Sequence, residues 1–298
     1  FETCGLPVYI LEATPIAFRA WIYRGVETQD VVAHQERECP SELSPSTAAL
    51  VKAQKDGMPG DRDEGGYRVS RIYLNSIEGS ETNQWWSLAR ETRHVLTGKL
   101  KSTPVRLHSA WRKRQLYRSY RAMATTVIPT QPFVVYFMHY QPERSSLPVG
   151  QSFTQQWMAI RALASALPAG WKLLVREHPT TWLRPLDPFV RTRGIYADIA
   201  ALANTQICSM DIDTFDLVDS SSAVSTLTGS VGFQSLIRGK PVLAFGLAPY
   251  KDHPACYRIS SVHDAVAALE GIASGACGSA LTAETLNAYL RWVERCSV

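Results

Sequence analysis

Two residues that can carry acid–base chemistry follow apolar runs in the second half of the chain. Glu143 ends a long stretch without acidic residues, and His178 stands between Glu177 and Pro179. A proline biases the preceding residue toward an extended conformation, so the His178 ring can point into a crevice. An imidazole near a carboxylate can transfer a proton or bind a phosphate. We therefore predict Glu143 and His178 as a catalytic pair, against the alternative that both are structural loop residues.

A turn of small residues opens a later helix at Thr228, Gly229 and Ser230. The amides and the positive dipole end of a helix N-terminus can hold a phosphate. The sequence therefore predicts a phosphate-binding turn, although a plain strand-to-helix turn has the same composition. Arg176 can add positive charge to this site. Gln141 can hydrogen-bond a sugar or a base edge, or its own turn.

Other reactive patterns give little support to further chemistry. Asp211 and Asp213 form a DxD that can hold a divalent cation, but two acids in a turn are common, so we predict no metal site and no cofactor. The six cysteines contain no CxxC pair, which argues against a zinc site or a disulfide framework. The sequence also lacks GxSxG, GxxxxGK[ST] and GxGxxG, the motifs of serine hydrolases, P-loop ATPases and dinucleotide dehydrogenases.

After Pro132, short apolar runs alternate with segments of helical periodicity, the order typical of a doubly wound parallel α/β sheet. Several runs lack polar alternation, as strands buried on both faces should. Ligands of such sheets bind beyond the carboxyl ends of the strands, where the residues above lie. The predicted strands are residues 133–138, 173–175, 206–209, 223–227 and 241–245, and the predicted helices are residues 154–167, 188–203 and 231–238.

Capping signals and apolar spacing predict further elements outside this alternation. Ser261, with Asp264 three residues later, has the spacing of a capping box, and a second closing helix begins near Thr282. In the first half, we predict a strand at residues 8–11, helical spacing at residues 16–26, helices at residues 45–54, 85–100 and 104–123, and a loop at residues 58–67.

Length, composition and charge restrict the function classes. With 298 residues, 45% hydrophobic and 19% charged, the chain is an ordinary globular protein of two lobes. Its longest uncharged run, residues 122–142, contains three prolines, so we predict no spanning helix. The chain starts at Phe1 without a leader, so we expect an excised portion of a longer, cytoplasmic protein.

The net charge of +4 is unevenly distributed. Between residues 92 and 142 there is no acidic residue, which predicts a surface for phosphate, anionic lipid or an acidic sugar, or else an ordinary solvated helix face. No groove-reading motif accompanies the charge, so we predict no nucleic-acid partner. The basic residues of this stretch are Arg93, Lys99, Lys101, Arg106, Arg112, Lys113, Arg114, Arg118 and Arg121.

Several short motifs follow one another in a fixed order: HYQPE (residues 139–143), ALPAGW (166–171), LLVREHP (173–179), TLTGSVGFQSLIRGKPVLAFG (226–246) and Pro249-Tyr250. This succession resembles the glycosyltransferases of capsule and surface polysaccharide biosynthesis, a group that includes retaining bacterial β-Kdo transferases. The resemblance covers residues 133–250. It implies a GT-B architecture of two Rossmann-like lobes with the active site between them.

The resemblance implies that residues 126–298 form the donor-binding lobe. Residues 1–125 then contain the remains of an acceptor-side lobe, incomplete in this chain, with connecting helices. For the Kdo enzymes the implied donor is CMP-Kdo, and Glu143 is the nearest counterpart of the acidic residue that acts at the anomeric carbon. The Kdo pattern has an aspartate near the glutamine, whereas Arg144 follows Glu143 here. The implied donor-binding residues are Gln141, Arg176, Pro179, Thr228, Gly229, Ser230 and Tyr250, with His178 at the donor phosphate or sugar carboxylate.

The predicted function is transfer of a sugar, best guessed as Kdo, from a nucleotide donor to a bacterial surface glycan or glycolipid. The basic region of residues 93–121 would contact acceptor phosphate or the anionic inner-membrane surface from the cytoplasmic side. Two alternatives remain open at this point. One is a non-catalytic nucleotide-sugar-binding scaffold of an assembly complex, and the other is a nucleotide-sugar epimerase or glycerophosphotransferase on a similar fold.

Overall fold

The computed structural model describes residues 9–14, 16, 20–24, 30–31, 40–56, 103–143, 146, 149–183 and 191–297. The predicted loop at residues 58–67 and the predicted helix at residues 85–100 lie outside these ranges. So do most residues of the predicted acceptor-side lobe, and the division at residues 125 and 126 stays a prediction.

The first described elements form a small antiparallel sheet. Its strands are β1 (Tyr9–Ala13), β2 (Ala20–Arg24) and β3 (Asp30–Val31), paired in that order. The helical interpretation of residues 16–26 is therefore wrong, because the β-branched and aromatic residues of β2 favour a strand once β1 is beside them to complete the hydrogen bonds. The predicted helix that begins at Pro45 is confirmed as α1 (Pro45–Asp56).

A long basic helix leads into the main sheet. Helix α2 (Thr103–Met123) confirms the predicted helix at residues 104–123 and buries Leu116 and Tyr120, four residues apart on one face. It runs directly into the short strand β4 (Ala124–Thr125), which the sequence did not predict.

Seven parallel strands form the main sheet, which confirms the predicted doubly wound α/β architecture. The strand order is β10-β9-β8-β5-β6-β7-β4. Successive strands thus run outward from β5 to β7 on one side, and the chain then returns to the other side of β5 to place β8. The central strands are β5 (Phe133–Phe137), β6 (Lys172–Arg176), β7 (Thr205–Cys208), β8 (Ala223–Thr226) and β9 (Val242–Ala244).

Helices connect the strands and cover both faces of the sheet. Of the five connecting helices in the described residues, three match predicted segments. In the segment predicted at residues 188–203, the described helix lies in the second half. The remaining two are short and were not predicted, because a helix of one or two turns carries little apolar periodicity. The helices are α3 (Gln156–Ala166), α4 (Thr180–Leu183), α5 (Ile195–Ala200), α6 (Thr214–Ser220) and α7 (Ser230–Ile237).

The chain closes with the edge strand β10 (Cys256–Arg258) and two helices, α8 (Val262–Ala273) and α9 (Ala283–Cys296). Strand β10 was missed, since three residues are too short a run to show a pattern. The predicted capping box of Ser261 and Asp264 is present at the start of α8, and the Thr282 side chain caps α9.

Two apolar clusters, one on each face, hold the sheet. Consecutive residues of β5 alternate between them, with Val134 and Tyr136 in one cluster and Phe133 and Val135 in the other. Burial on both faces explains why this strand reads as a continuous apolar run. None of the described helices has the length and hydropathy needed to cross a membrane.

Candidate functional site

The candidate site lies at the carboxyl edge of the sheet, between β5 and β8. These strands are hydrogen-bonded neighbours, but the chain leaves them in opposite directions across the sheet. At such a switch point the two outgoing loops separate and leave a crevice, which is where open α/β sheets bind ligands. The loops that follow β5, β6 and β8 carry Glu143, His178 and Gly229, respectively. The topology thus brings the three central predicted residues to one edge of the sheet.

The imidazole of His139 joins the two sides of this crevice. Its Nε2 accepts a hydrogen bond from the backbone amide of Thr228 at 3.2 Å and lies 3.0 Å from Oγ1 of Thr226. The lone pair on Nε2 places the proton of the neutral ring on Nδ1. Burial, together with the nearby Arg191 guanidinium and His178 ring, lowers the pKa of His139 to about 3. His139 is therefore uncharged at neutral pH and links the β5 loop to the β8 loop.

A buried ion pair fixes the loop that follows β6. The Glu177 carboxylate accepts hydrogen bonds from Nε and Nη2 of Arg191 at 2.8 and 3.0 Å, and from the Tyr196 hydroxyl at 2.7 Å. It also accepts one from the backbone amide of His178 at 2.7 Å. Burial by itself would raise the pKa of Glu177, but the Arg191 guanidinium and these hydrogen bonds outweigh it and lower the pKa. Glu177 therefore points into the protein as an anion and orients the backbone of its neighbour.

The same guanidinium reaches the loop that follows β5. Nη2 of Arg191 donates to the carbonyl of His139 at 2.8 Å. One buried arginine thus binds both loops that carry the predicted catalytic pair. Its charge is balanced by Glu177, so it adds rigidity to the edge without adding net charge.

His178 is exposed at this edge and presents one ring nitrogen outward. Its Nδ1 accepts a hydrogen bond from the backbone amide of Thr180 at 3.1 Å, which leaves the proton of the neutral ring on Nε2. The packing of protein around the ring lowers the pKa of His178, although the carboxylates of Glu177 and Glu143 oppose this change. The predicted pair lie on the loops that follow the paired strands β5 and β6, and their joint role stays a prediction. Pro179, next in the chain, begins the turn into α4.

Gln141, in the loop that follows β5, is buried in a network of side-chain amides. Its Nε2 donates to the carbonyl of Thr154 at 2.7 Å, and its Oε1 accepts from Nε2 of Gln156 at 2.7 Å. Gln156 in turn bonds both backbone groups of His139, accepting from its amide at 2.7 Å and donating to its carbonyl at 3.0 Å. These contacts lie within the protein, but their partners are 13 and 15 residues from Gln141 rather than in its own turn.

Arg176 is also buried and supports the loop that follows β7. Its guanidinium donates to the carbonyls of Ile212 and Met210 at 2.7 and 3.2 Å. Both aspartates of the DxD segment form hydrogen bonds or ion pairs within the protein. Asp213 caps the N-terminus of α6, and Asp211 forms an ion pair of 2.5 Å with Arg121. Within the described ranges, no group of three histidine, cysteine or acidic side chains is placed to hold a metal ion.

The backbone amides of the predicted phosphate-binding turn differ in whether they have a hydrogen-bond acceptor among the described residues. The amide of Thr228 is bound to His139, and that of Gly229 lies 3.4 Å from Oγ1 of Thr226. The next two amides, of Ser230 and Val231, open α7 and have no hydrogen-bond acceptor among the described residues. The first turn of a helix leaves such donors available to a ligand. The structure therefore favours Ser230 and Val231, rather than Thr228 and Gly229, as the amide donors of the turn.

Tyr250 stabilises this turn from the protein interior. Its buried hydroxyl donates to the carbonyl of Gly229 at 2.6 Å, and its ring stacks on Phe233. A Cβ atom at Gly232 would collide with the Tyr250 hydroxyl, so glycine is required where the ring crosses α7. Tyr250 thus holds the turn in place from the protein interior.

Two cavities flank α7. One, of about 270 Å³, lies at its N-terminus and is lined by Thr228, Ser230, Phe233 and Tyr250 together with residues of the first 56 positions. The other, of about 330 Å³, lies at the opposite end of the helix beside Arg238 and Asp219. Arg238 is held there by an ion pair with Asp219. The smaller cavity is the one that adjoins the carboxyl edge of the sheet.

The structure describes part of the predicted basic surface, since Arg93, Lys99 and Lys101 lie outside the described residues. In α2, Arg112 donates to the carbonyl of Arg191 at 2.8 Å and Arg121 pairs with Asp211, so both bind the loops of the edge. Burial lowers the pKa of Lys113 to about 8. Arg114 and Arg118 are exposed and lie four residues apart on one face of the helix.

Sequence reasoning missed His139, Gln156 and Arg191 as residues that build the site. His139 begins the HYQPE segment, so its position at a strand end was a usable signal. Gln156 and Arg191 had none, because a polar residue in a helix or an irregular loop is ordinarily exposed. Their contacts span 17 and 52 residues, respectively, to His139.

Comparison with protein families supports the predicted resemblance. Residues 145–253 match the family described as capsule polysaccharide biosynthesis protein. The match contains Arg176, His178 and the turn at residues 228–230, and it confirms the resemblance over that segment. The comparison with curated proteins gave no match.

Solved structures with similar regions include transferases and epimerases. The β-Kdo 2,7-transferase KpsC of Thermosulfurimonas dismutans is 16% identical over 54% of this chain and 51% of its own, with a TM-score of 0.35. A UDP-GlcNAc 2-epimerase from Neisseria meningitidis bound to UDP-GlcNAc is 15% identical over 67% of this chain and 48% of its own, with a TM-score of 0.37. The chain thus spans about half the length of each structure.

Proposed function

We propose that this chain is a glycosyltransferase of capsule or surface polysaccharide biosynthesis and that it binds a nucleotide-sugar donor at the β5–β8 edge. One observation carries the proposal. The switch point of the sheet brings the available amides of Ser230 and Val231 to the same edge as Glu143 and His178. An anion site beside an acid and an imidazole is the combination that transfer from a sugar phosphate requires. The family match over residues 145–253 supports the same class.

In this mechanism the helix turn binds the leaving phosphate. The amides of Ser230 and Val231 point out of the N-terminus of α7, and the Ser230 hydroxyl lies beside them at the exposed surface. These dipoles would stabilise the charge that develops on the phosphate as the glycosidic bond to the donor breaks. His139, Tyr250 and Gly229 hold the turn rigid, so that the donors need not reorganise during the reaction.

His178 and Glu143 would act on the sugar side. With Nδ1 bound to Thr180, the neutral His178 ring offers Nε2–H as a donor to a phosphate or a sugar carboxylate. We propose that the Glu143 carboxylate attacks or stabilises the anomeric carbon, in a retaining reaction of two displacements. In the first, the bond to the donor phosphate breaks as Glu143 bonds to the sugar. In the second, the acceptor hydroxyl displaces Glu143 from the sugar and gives up its proton to the phosphate that left in the first step.

We further propose CMP-Kdo as the donor and a bacterial surface glycan or glycolipid as the acceptor. The motifs around His178 and the turn at residues 228–230 support the donor, through their resemblance to the Kdo transferases. The exposed Arg114 and Arg118 of α2 support an acceptor that carries phosphate or lies at an anionic membrane surface on the cytoplasmic side.

A thermal-shift panel of CMP, UDP, GDP and CDP tests the proposal. A ligand that binds the folded state raises the melting temperature. We expect stabilisation by CMP and a smaller response in Ser230→Pro, which removes one amide donor at a position where proline fits the first turn of a helix. A response to UDP without one to CMP would contradict the Kdo donor. No response to any of the four would contradict a nucleotide-sugar site.

A further inference from the structure

The cavity beside Ser230 is closed by residues from outside the segment that matches the family. Leu50 and Gln54 of α1, together with Thr14, form the wall that faces Phe233, Ser230 and Tyr250. These wall residues precede the family match by about a hundred positions in the chain. The pocket at the N-terminus of α7 is thus a joint product of the parallel sheet and the first elements of the chain.

The lining of this cavity combines polar and apolar side chains. Leu50, Phe233 and Pro249 are apolar, and the polar residues include Thr14, Gln54, Thr228 and Ser230. Small-molecule pockets commonly combine apolar walls with a few polar groups that set orientation. The volume of about 270 Å³ suits one heterocycle with its sugar and is small for a dinucleotide.

Helix α1 is held on the lobe by a buried carboxylate from the other end of the chain. Glu294, in α9, accepts hydrogen bonds from the Ser44 hydroxyl at 2.5 Å and the Ser44 amide at 3.2 Å, and it also bonds the Thr47 hydroxyl. Glu294 and Thr47 are 7% and 0% exposed, respectively. Arg291, one turn earlier in α9, donates to the carbonyl of Ser41 at 2.6 Å.

The Glu294 carboxylate provides α1 with a negative charge at its N-terminus that its own sequence lacks. The first turn of α1 contains no acidic residue, and the Glu294 carboxylate lies at that end, where a negative charge stabilises a helix. From Thr47 to Leu50 is about one helical turn, so the bonds to Glu294 set the position of Leu50 against the cavity. The orientation of the pocket wall is thereby tied to α9.

We propose that α1 forms a wall of the donor pocket, with Leu50 as a specificity-determining residue for the nucleoside part of the donor and Glu294 as a positioning residue that holds the wall. This inference rests on the proposed function. The nucleoside occupies the apolar part of the cavity, between Leu50 and Phe233, and its phosphate extends past Ser230 to the amides of α7.

Substitutions in α1 test the wall. Leu50→Trp places a larger side chain at the cavity wall and narrows the cavity, and Ala49→Trp places the same side chain on an exposed neighbouring position. Binding of CMP and UDP to each variant is measured by titration calorimetry. We expect Leu50→Trp to weaken nucleotide binding by at least about tenfold with little change in melting temperature, and Ala49→Trp to bind like the unmodified chain.

The positioning role of Glu294 is tested in the same titrations. Glu294→Gln keeps an oxygen acceptor but removes the charge, and Thr47→Val removes one hydroxyl donor from the α1 side. We expect both variants to weaken nucleotide binding and to reduce the ratio of the CMP affinity to the UDP affinity. A uniform loss of stability would leave this ratio unchanged. Equal binding by Leu50→Trp and the unmodified chain overturns this inference and leaves the proposed function intact. Failure of the unmodified chain to bind either nucleotide overturns both.

Discussion

The Nε2 atom of His139 and the backbone nitrogen of Thr228 lie 3.2 Å apart, although 89 residues separate them in the chain. Their hydrogen bond crosses the point where the connections of the sheet change direction, between β5 and β8. Because Nε2 is the acceptor, the bond exists while the imidazole is neutral. The geometry of the candidate site therefore depends on the protonation state of one buried ring.

Acid should destabilise the protein through His139. Its pKa is about 3 in the folded state and near 6.5 in a solvent-exposed state. Between these values the unfolded chain binds a proton that the folded chain does not, so stability is lost as the pH falls below about 6.5. In His139→Gln, an amide oxygen replaces Nε2 as acceptor. When the pH is lowered from 7 to 5, we expect the unfolding free energy of this variant to fall by about 2 kcal/mol less than that of the unmodified chain.

Urea unfolding at the two pH values measures this difference. His263→Gln, at an exposed position in α8, is the matched control and should keep the acid sensitivity of the unmodified chain. An unchanged pH profile in His139→Gln would show that the buried imidazole is not the titrating group.

Loss of the Arg191 charge should be strongly destabilising. In Arg191→Met the Glu177 carboxylate remains buried without its counter-ion, and the carbonyl of His139 loses a donor. Breaking one side of a buried pair reduces the free energy of unfolding by about 3–5 kcal/mol. Arg193→Met, two residues later at an exposed position, loses its contact with the exposed Trp111 ring and should change it by at most about 1 kcal/mol. Equal effects of the two variants in urea unfolding would contradict the structural role of Arg191.

Two glycines should respond to alanine in opposite directions. Gly232→Ala places a methyl group against the Tyr250 hydroxyl and ring, and we expect a loss of about 1–3 kcal/mol in unfolding free energy. Gly271→Ala, within α8, meets no atom within 4 Å and should stabilise the protein by about 0.5–1 kcal/mol. Thermal unfolding of both variants gives the sign. A neutral Gly232→Ala would mean that Tyr250 can move away from the turn.

Catalytic variants should separate folding from transfer. We expect Glu143→Gln and His178→Ala to keep the melting temperature within a few degrees and to lose at least about a hundredfold in the rate of sugar transfer. Glu270→Gln and His263→Ala, both exposed on α8, are matched controls for each residue type. Mass spectrometry of the products also distinguishes transfer from epimerisation. Near-normal turnover in both site variants would remove Glu143 and His178 from the mechanism.

The sequence was sufficient where local patterns and burial agree. Strand β5 was predicted within one residue of its end, because burial on both faces leaves a continuous apolar run. The cap of Ser261 was predicted because a capping box depends on residues three apart. The 16–26 segment failed for the opposite reason, since its strand exists through pairing with β1 rather than through its own periodicity.

The site shows the same division. Alternation of strands and helices placed Glu143, His178 and Ser230 at one sheet edge, because the carboxyl ends of parallel strands share a side. The sequence left open the strand order, which decides that the loops after β5 and β8 face each other. It also left open which polar groups form their hydrogen bonds within the protein. Gln141, Arg176 and the Thr228 amide were ligand candidates by type, and each is hydrogen-bonded within the protein.

Residue type and local spacing thus determined the fold class, the edge that carries the candidate site residues and the family resemblance of this chain. The tertiary structure decided how Arg191 bridges two loops, how Glu294 reaches Ser44 across 250 residues, and which amides of the α7 turn remain available. The physical reason is that hydrogen-bond partners of buried polar groups are chosen by proximity in space, and a linear sequence specifies proximity only within a few residues.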